Sequence, residues 1–153
     1  MISQRTKYAL KALMTLADAA RTDQPALTIE EVARRSGTPK RFLEHILLDL
    51  RNIGLIRSRR GRAGGYMLIK EPRTVSIGEL LRQMDGPIAP LPCLSRTAYQ
   101  RCEDCTDEAN CRIRKMFGQV YWAYLLLIES LTLGDLTENS DVIERLSAPM
   151  PGE

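Results

Sequence analysis

Histidine is almost absent from this chain, with one in 153 residues, and aromatic side chains are scarce: one Trp, five Tyr and two Phe. The lone histidine, His45, lies far in sequence from every cysteine, and neither an acid/base constellation nor a phosphate-cradling motif is visible. Little therefore points to an enzyme. The aromatics fall mostly on apolar stripes, which argues against a stacking platform for single-stranded nucleic acid. Long apolar runs are lacking too. The longest, Val120 to Ile128, spans nine residues and is too short to cross a bilayer, so no membrane association is expected. Lys7 and Lys11 interrupt the first apolar stretch, so no export signal is read there and a cytoplasmic protein is expected. Internal repeats and low-complexity segments are missing as well. With 44% apolar and 27% charged residues, the chain suits one modest domain, or a small domain with an extension, able to bury a core without staples.

The net charge of +3 hides a division. Residues 1 to 73 hold 15 basic and 7 acidic side chains, a net of +8, whereas residues 74 to 153 hold 7 basic and 12 acidic ones, a net of −5. The basic part is the natural partner for a polyanion. All four cysteines lie in the acidic part, between positions 93 and 111, and in the cytosol they are expected as reduced thiols or metal ligands.

Ala9, Ala12, Leu13, Leu16, Ala17 and Ala20 recur at the spacing of one helical face after a capping Ser3, which predicts a first helix from about Ser3 to Arg21. Thr28 and Glu31 form a capping-box pattern opening a short second helix, and Gly37 suits a left-handed stop. Thr38 and Pro39 then read as the cap and first turn of a third helix, whose apolar positions are Phe42, Leu43, Ile46, Leu47, Leu50 and Ile53, ending at Gly54. Two helices joined through a glycine turn after a packing helix describe a helix-turn-helix. Two short strand-like runs flank the Gly61-Arg62-Ala63-Gly64-Gly65 loop and predict a hairpin, or wing. Ser76 and Glu79 repeat the capping-box pattern before a fourth helix that stops ahead of Gly86-Pro87. From Pro87 to about Asp107 periodicity disappears. Ile113, Met116, Phe117, Val120, Tyr121, Tyr124, Leu127 and Ile128 then trace a long apolar stripe, surplus to the small domain before it and so suited to a partner surface.

The fold class expected is thus mainly α: a winged helix-turn-helix with a two-stranded β wing and a long C-terminal dimerisation helix. Residues 1–86 form the DNA-binding domain, 87–110 a cysteine-rich loop, 111–136 the dimerisation helix and a short segment, and 137–153 a tail. Such a module places the N-terminal residues of its third helix against base edges in the major groove of double-stranded DNA. Thr38, Lys40, Arg41, Glu44 and His45 are the candidates there: Glu44 to accept from a cytosine amino group, Arg41 to meet guanine or phosphate, Lys40 to hold phosphate. On the wing, Arg59, Arg60, Arg62, Gly64 and Tyr66 are expected to approach the backbone or minor groove. A homodimer would set two reading heads one DNA turn apart on a pseudopalindromic operator.

Cys93, Cys102, Cys105 and Cys111 form a C-x8-C-x2-C-x5-C arrangement. Four thiolates so close suit an iron-sulfur cluster or a structural zinc, while Cys102 and Cys105 alone would suit a redox dithiol, and free thiols are the plainest outcome. The acidic Glu103, Asp104, Asp107 and Glu108 work against a reactive nucleophile there.

Tyr8-Ala9-Leu10, Phe42-Leu43-Glu44, Arg60-Gly61-Arg62-Ala63-Gly64-Gly65-Tyr66, the cysteine loop and Thr132-Leu133-Gly134-Asp135-Leu136 together resemble the Rrf-two family of bacterial winged-helix regulators, over positions 1 to about 136. The resemblance implies a homodimer joined by the long helix, an iron-sulfur cluster (2Fe-2S or 4Fe-4S) on three loop cysteines, and cluster-dependent control of promoter binding, most simply repression, in response to iron-sulfur status, redox or nitric oxide. The family's three cysteines match Cys93, Cys105 and Cys111. Cys102 is extra; Arg114 stands where some members carry a ligand histidine, and Lys7 where others carry an acidic ligand. The fourth ligand is then Cys102, or the position is open. The competing readings are a zinc-stapled or metal-free thiol-sensing regulator and, further off, a small thiol oxidoreductase.

Overall fold

The computed structural model describes residues 2–23, 25–61 and 64–138. Helix α1, Gln4–Ala19, starts where the Ser3 side chain accepts from the Thr6 backbone N–H at 3.1 Å, and buries Ala9, Ala12, Leu13, Leu16 and Ala17 along one face. Helix α2, Ile29–Ser36, is capped by Thr28 and stops at Gly37, whose φ of 63° is the left-handed conformation that glycine adopts without a Cβ penalty. Helix α3, Lys40–Asn52, turns Leu43, Ile46, Leu47 and Leu50 onto α1 and α2. Strands β1, Ile56–Arg59, and β2, Gly65–Leu68, pair antiparallel with Ile56 opposite Leu68 and Arg59 opposite Gly65. Leu27 adds a bridge on the far side of β2, giving and receiving hydrogen bonds with Tyr66 at 2.9 and 2.7 Å. Gly65 is required at that contact, because a Cβ there would lie 2.4 Å from the Leu27 carbonyl oxygen.

Helix α4, Ile77–Asp85, is capped by Ser76 and buries Ile77, Leu80, Leu81 and Met84. Its last residue ties back to α1: the Asp85 carboxylate accepts from the Ser3 backbone N–H at 3.0 Å and from the Thr6 hydroxyl at 2.7 Å. Helix α5, Arg112–Ser130, packs on α4 and on a second, smaller core of Cys93, Leu94, Tyr121 and Leu125. Helix α6, Leu133–Thr137, then returns to the main core.

Several expectations change in detail. The reciprocal capping boxes expected at Thr28/Glu31 and Ser76/Glu79 form only in their forward half. Glu31 turns its carboxylate to Arg34 and Arg35 instead, at 2.7 and 2.6 Å. The full box belongs to Thr132 and Asp135. Pro39, rather than Thr38, occupies the cap of α3, with no side-chain hydrogen bond. The segment grouped with the long helix packs away from it: Leu133 is 0% exposed among α1 residues, and the Leu133 N–H donates to the Val75 carbonyl at 2.9 Å. Most of the expected tail, residues 139–153, lies outside the described residues, but Glu138 joins the body of the domain, pairing with Arg21 at 2.8 Å and Arg73 at 2.6 Å.

Candidate nucleic-acid interface and cysteine loop

The packing of α3 decides which of its residues face outward. With Leu43, Ile46, Leu47 and Leu50 buried, Lys40, Arg41, Glu44 and His45 are left exposed at the N-terminal end, as the helical spacing requires. Thr38 is the exception: it is 2% exposed and its hydroxyl is enclosed without a hydrogen-bond partner, so it faces the core rather than a ligand. Phe42 also departs from its expected place. Instead of joining the core it is 42% exposed, its ring 5.6 Å from that of Tyr8 and 4.8 Å from the Arg41 guanidinium, which lies over its face. Lys40 is held by Glu30 of α2 at 2.5 Å, a hydrogen bond that raises the lysine above its ordinary range and lowers Glu30 below the usual carboxylate range. The lysine must exchange this partner to meet a phosphate. His45 is exposed on the outer face of α3.

Arg59 and Arg60 are exposed at the tip of β1, and Arg57 projects from the same strand with its Nε 3.1 Å from the Met67 sulfur. Gly64 closes the loop, its N–H donating to the Gly61 carbonyl at 2.9 Å in a space that has no room for a Cβ. Tyr66 is half-buried against the main core, so its ring works more as the foot of the wing than as its tip. Arg62 lies outside the described residues. Arg41, Arg57, Arg59 and Arg60 make no ion pair with a carboxylate among the described residues, whereas Arg5, Arg34, Arg35, Lys40 and Arg73 all do. Unpaired charge is thus present both at the start of α3 and on the wing, with Lys7, Lys11, Arg51 and Lys70 also without an ion pair among the described residues.

The cysteine loop runs from α4 to α5 through a 3-10 turn at Pro92–Leu94. Cys93 is 5% exposed and packs with Leu94, Tyr121 and Leu125, and Cys102 rests against the same cluster. Burial, then the neighbouring Cys93 thiol and the charges of Cys105 and Asp104, push the Cys102 thiol up. Cys105 follows one turn later, its N–H donating to the Cys102 carbonyl at 3.2 Å. Cys111 caps α5, its Sγ accepting from the Arg114 backbone N–H at 3.4 Å. Arg114 pairs with Glu108 at 3.0 Å and reaches the Cys93 carbonyl at 3.5 Å. Among the described residues no three His, Cys, Asp or Glu side chains converge into a metal-sized group. The donors nonetheless suit an iron-sulfur cluster in kind: four soft thiol sulfurs on one short segment, with Cys102 in electrostatic range of both Cys93 and Cys105.

A glycine-linked pair of helices on an α1 scaffold, a polar outer face at the start of the second, and an arginine-bearing two-stranded wing define a winged helix-turn-helix DNA-binding regulator. The chain belongs to the Rrf2 (Rrf-two) family, described as an iron-dependent transcriptional regulator, whose model matches residues 2–139. An rrf2-like HTH-type transcriptional regulator of Rhodobacter capsulatus is 71% identical over 137 residues, covering 89% of this chain and 91% of its own. The HTH-type transcriptional repressor NsrR of Streptomyces coelicolor is 30% identical over 135 residues, covering 88% and 86%. Among solved structures, CymR, the global cysteine regulator of Bacillus subtilis, superposes with a TM-score of 0.72 at 28% identity, covering 92% of this chain and 98% of that one. The chain is a transcriptional regulator and not an enzyme, which removes the thiol oxidoreductase reading. No helix among the described residues is long and apolar enough to cross a membrane.

Proposed function

We propose that the protein is a cytoplasmic, homodimeric repressor that reads a pseudopalindromic operator and senses iron-sulfur status, redox or nitric oxide through its cysteine loop. The observation that carries this reading is the placement of all four thiols on the one segment that joins the DNA-binding domain to α5. Helix α5 buries Tyr121 and Leu125 but leaves Ile113, Met116, Val120, Tyr124 and Leu127 exposed along its outer side. A stripe of that size, offered to solvent at helical spacing, supports a second copy packing on it. Cys93, Cys105 and Cys111 are the residues to hold a cluster, with Cys102 or an open position as the fourth. When bound, the cluster would supply a crosslink between loop and α5 that is made or broken with iron supply and oxidation. Cys93 and Cys111 anchor that crosslink because one sits in the second core and the other caps α5.

A metal-free or zinc-stapled thiol sensor is the second reading, favoured by Cys102 packing on the cluster that holds Cys93. Anaerobic purification followed by iron, sulfide and zinc determination separates the two, with a gel shift on the upstream region of its own gene as the DNA readout. Iron and sulfide bound after reconstitution, with altered operator affinity, support the cluster; protein that stays free of iron overturns it, and zinc at one per chain points to the staple.

A further inference from the structure

The C-x2-C spacing of Cys102 and Cys105 suggests that these two thiols are partners, but the loop pairs Cys102 differently. The Pro92 carbonyl accepts from the Ser95 N–H at 3.1 Å and from the Gln100 N–H at 3.2 Å. This double acceptance folds residues 95–100 back over the 3-10 turn and returns the chain beside Cys93. Cys102 then packs on the cluster of Cys93, Leu94, Tyr121 and Leu125, where the Cys93 thiol bears on it more than the Cys105 thiol does. The Cys105 backbone bonds the Cys102 carbonyl but its side chain bears on the Cys102 thiol through charge, and Cys111 is engaged at the N-terminus of α5.

We propose that Cys93 and Cys102 form an intramolecular disulfide when the metal-free protein meets a peroxide, which makes this pair an oxidation site that withdraws the Cys93 sulfur from any metal. Cys102 is the member of the pair that solvent reaches, so its sulfur takes the oxidant first, and slowly, because burial and its neighbours oppose the thiolate. The attack breaks the O–O bond, releases one water and leaves a sulfenic acid on Cys102. The shielded Cys93 sulfur then attacks the Cys102 sulfur and expels the hydroxyl as a second water. Two thiols lose two electrons and two protons in all, and one hydrogen peroxide becomes two waters. The Cys93 thiol is hidden from the oxidant and belongs to the cluster on which Cys102 rests, which is the arrangement of a resolving cysteine. This inference goes beyond the cluster reading, and holds whether the metal that competes for Cys93 is iron or zinc.

The test uses the full chain, stripped of metal, reduced, freed of reductant and exposed to hydrogen peroxide. Remaining thiols are alkylated, and tryptic peptides are mapped without reduction. Cleavage after Arg101 separates the Cys93 peptide, Gln83 to Arg96, from the peptide Cys102 to Arg112 that carries the other three thiols. The expected product joins these two peptides with the loss of two hydrogens, forms in the Cys105→Ser and Cys111→Ser proteins, and is abolished by Cys102→Ser. A bond confined to the Cys102 peptide, a crosslink to Cys93 that survives Cys102→Ser, or disulfides only between chains overturns the proposal. Iron loading of unoxidised protein, measured in parallel, reads the cluster hypothesis separately, so that either can fail alone.

Discussion

Leu133→Ala measures whether the C-terminal return is part of the DNA-binding domain's core. Leu133 is fully enclosed by residues of α1 and the segment before α4, and its surroundings are pinned: its own N–H bonds the Val75 carbonyl at 2.9 Å and the Ile77 N–H bonds the Leu131 carbonyl at 2.9 Å. Capping by Thr132 and Asp135 fixes the helix it begins. A site pinned by the antiparallel Ser76–Thr132 bridge beside it relaxes poorly, so the lost methyl groups leave a cavity, and the cost falls at about 3 kcal/mol. For a chain of this size that is a fall in Tm of roughly 6–12 °C. Urea unfolding followed by circular dichroism, at matched protein concentration because a dimer's stability depends on it, gives the difference directly. Ile69→Ala, at a half-exposed position, is the control and should cost about 0.5 kcal/mol or less. A Leu133→Ala loss below about 1 kcal/mol, or one equal to the control, would refute the argument that this segment completes the core.

Arg59→Ala and Arg60→Ala should each weaken binding to operator and random duplexes alike and lower the slope of log affinity against log salt by about 1, as measured by fluorescence anisotropy; unchanged slopes would remove the wing from the phosphate contacts. Glu44→Ala should instead cost roughly 1–3 kcal/mol of discrimination at one base pair, visible in competition with single-substituted operators, while leaving random-DNA affinity intact. Val120→Glu sets a charge in the exposed stripe of α5 and should shift the species seen by sedimentation from dimer to monomer, with retained helicity as the check on folding. The hydrogen bonds from Arg34 and Arg35 hold Glu31 at about 2 against an ordinary 4.5, so the stability it contributes is complete above pH 4.5 and is lost as pH falls through 2. Glu31→Gln should therefore flatten the acid limb of a pH–stability curve, and an unaltered limb would show that the pairing contributes nothing.

Local signals in the sequence translated well because their causes are local. A capping side chain acts three residues ahead and a left-handed glycine acts where it stands, so Ser3, Thr28, Gly37 and Ser76 mark real boundaries. Errors arose wherever two local options competed or the partner was distant. Glu31 had both the Thr28 backbone and two arginines within reach, and the arginines won because their charge adds to the hydrogen bond. Phe42 has the spacing of a core residue, yet only the tilt of α3 against α1 reveals that its ring ends beside Tyr8 under Arg41. The return of Leu133 to a core built a hundred residues earlier in the chain has no periodic signature at all; its sequence mark was the Thr132 and Asp135 box, which starts a helix without saying where it packs.

Spacing misleads in the same way in the cysteine loop, where the count between Cys102 and Cys105 says nothing about the reversal at Pro92 that sets Cys102 beside Cys93. Charge behaves differently, since a sum over 73 residues was informative but blunt. Six of the fifteen cations in that part already meet a carboxylate: Glu31 takes Arg34 and Arg35, Glu30 takes Lys40, Asp49 takes Arg5, and Glu138, from the acidic part, takes both Arg21 and Arg73. What those pairs leave without a carboxylate includes Arg41 at the start of α3 and Arg57, Arg59 and Arg60 on β1 and the loop beyond it. A duplex neutralised by a protein returns counterions in proportion to the phosphates met by free cations, and paired ones must first give up a carboxylate. The salt slope of this regulator should accordingly follow the unpaired cations that face the duplex rather than the net charge of the domain, and the removal of Glu30, which frees Lys40, should steepen it.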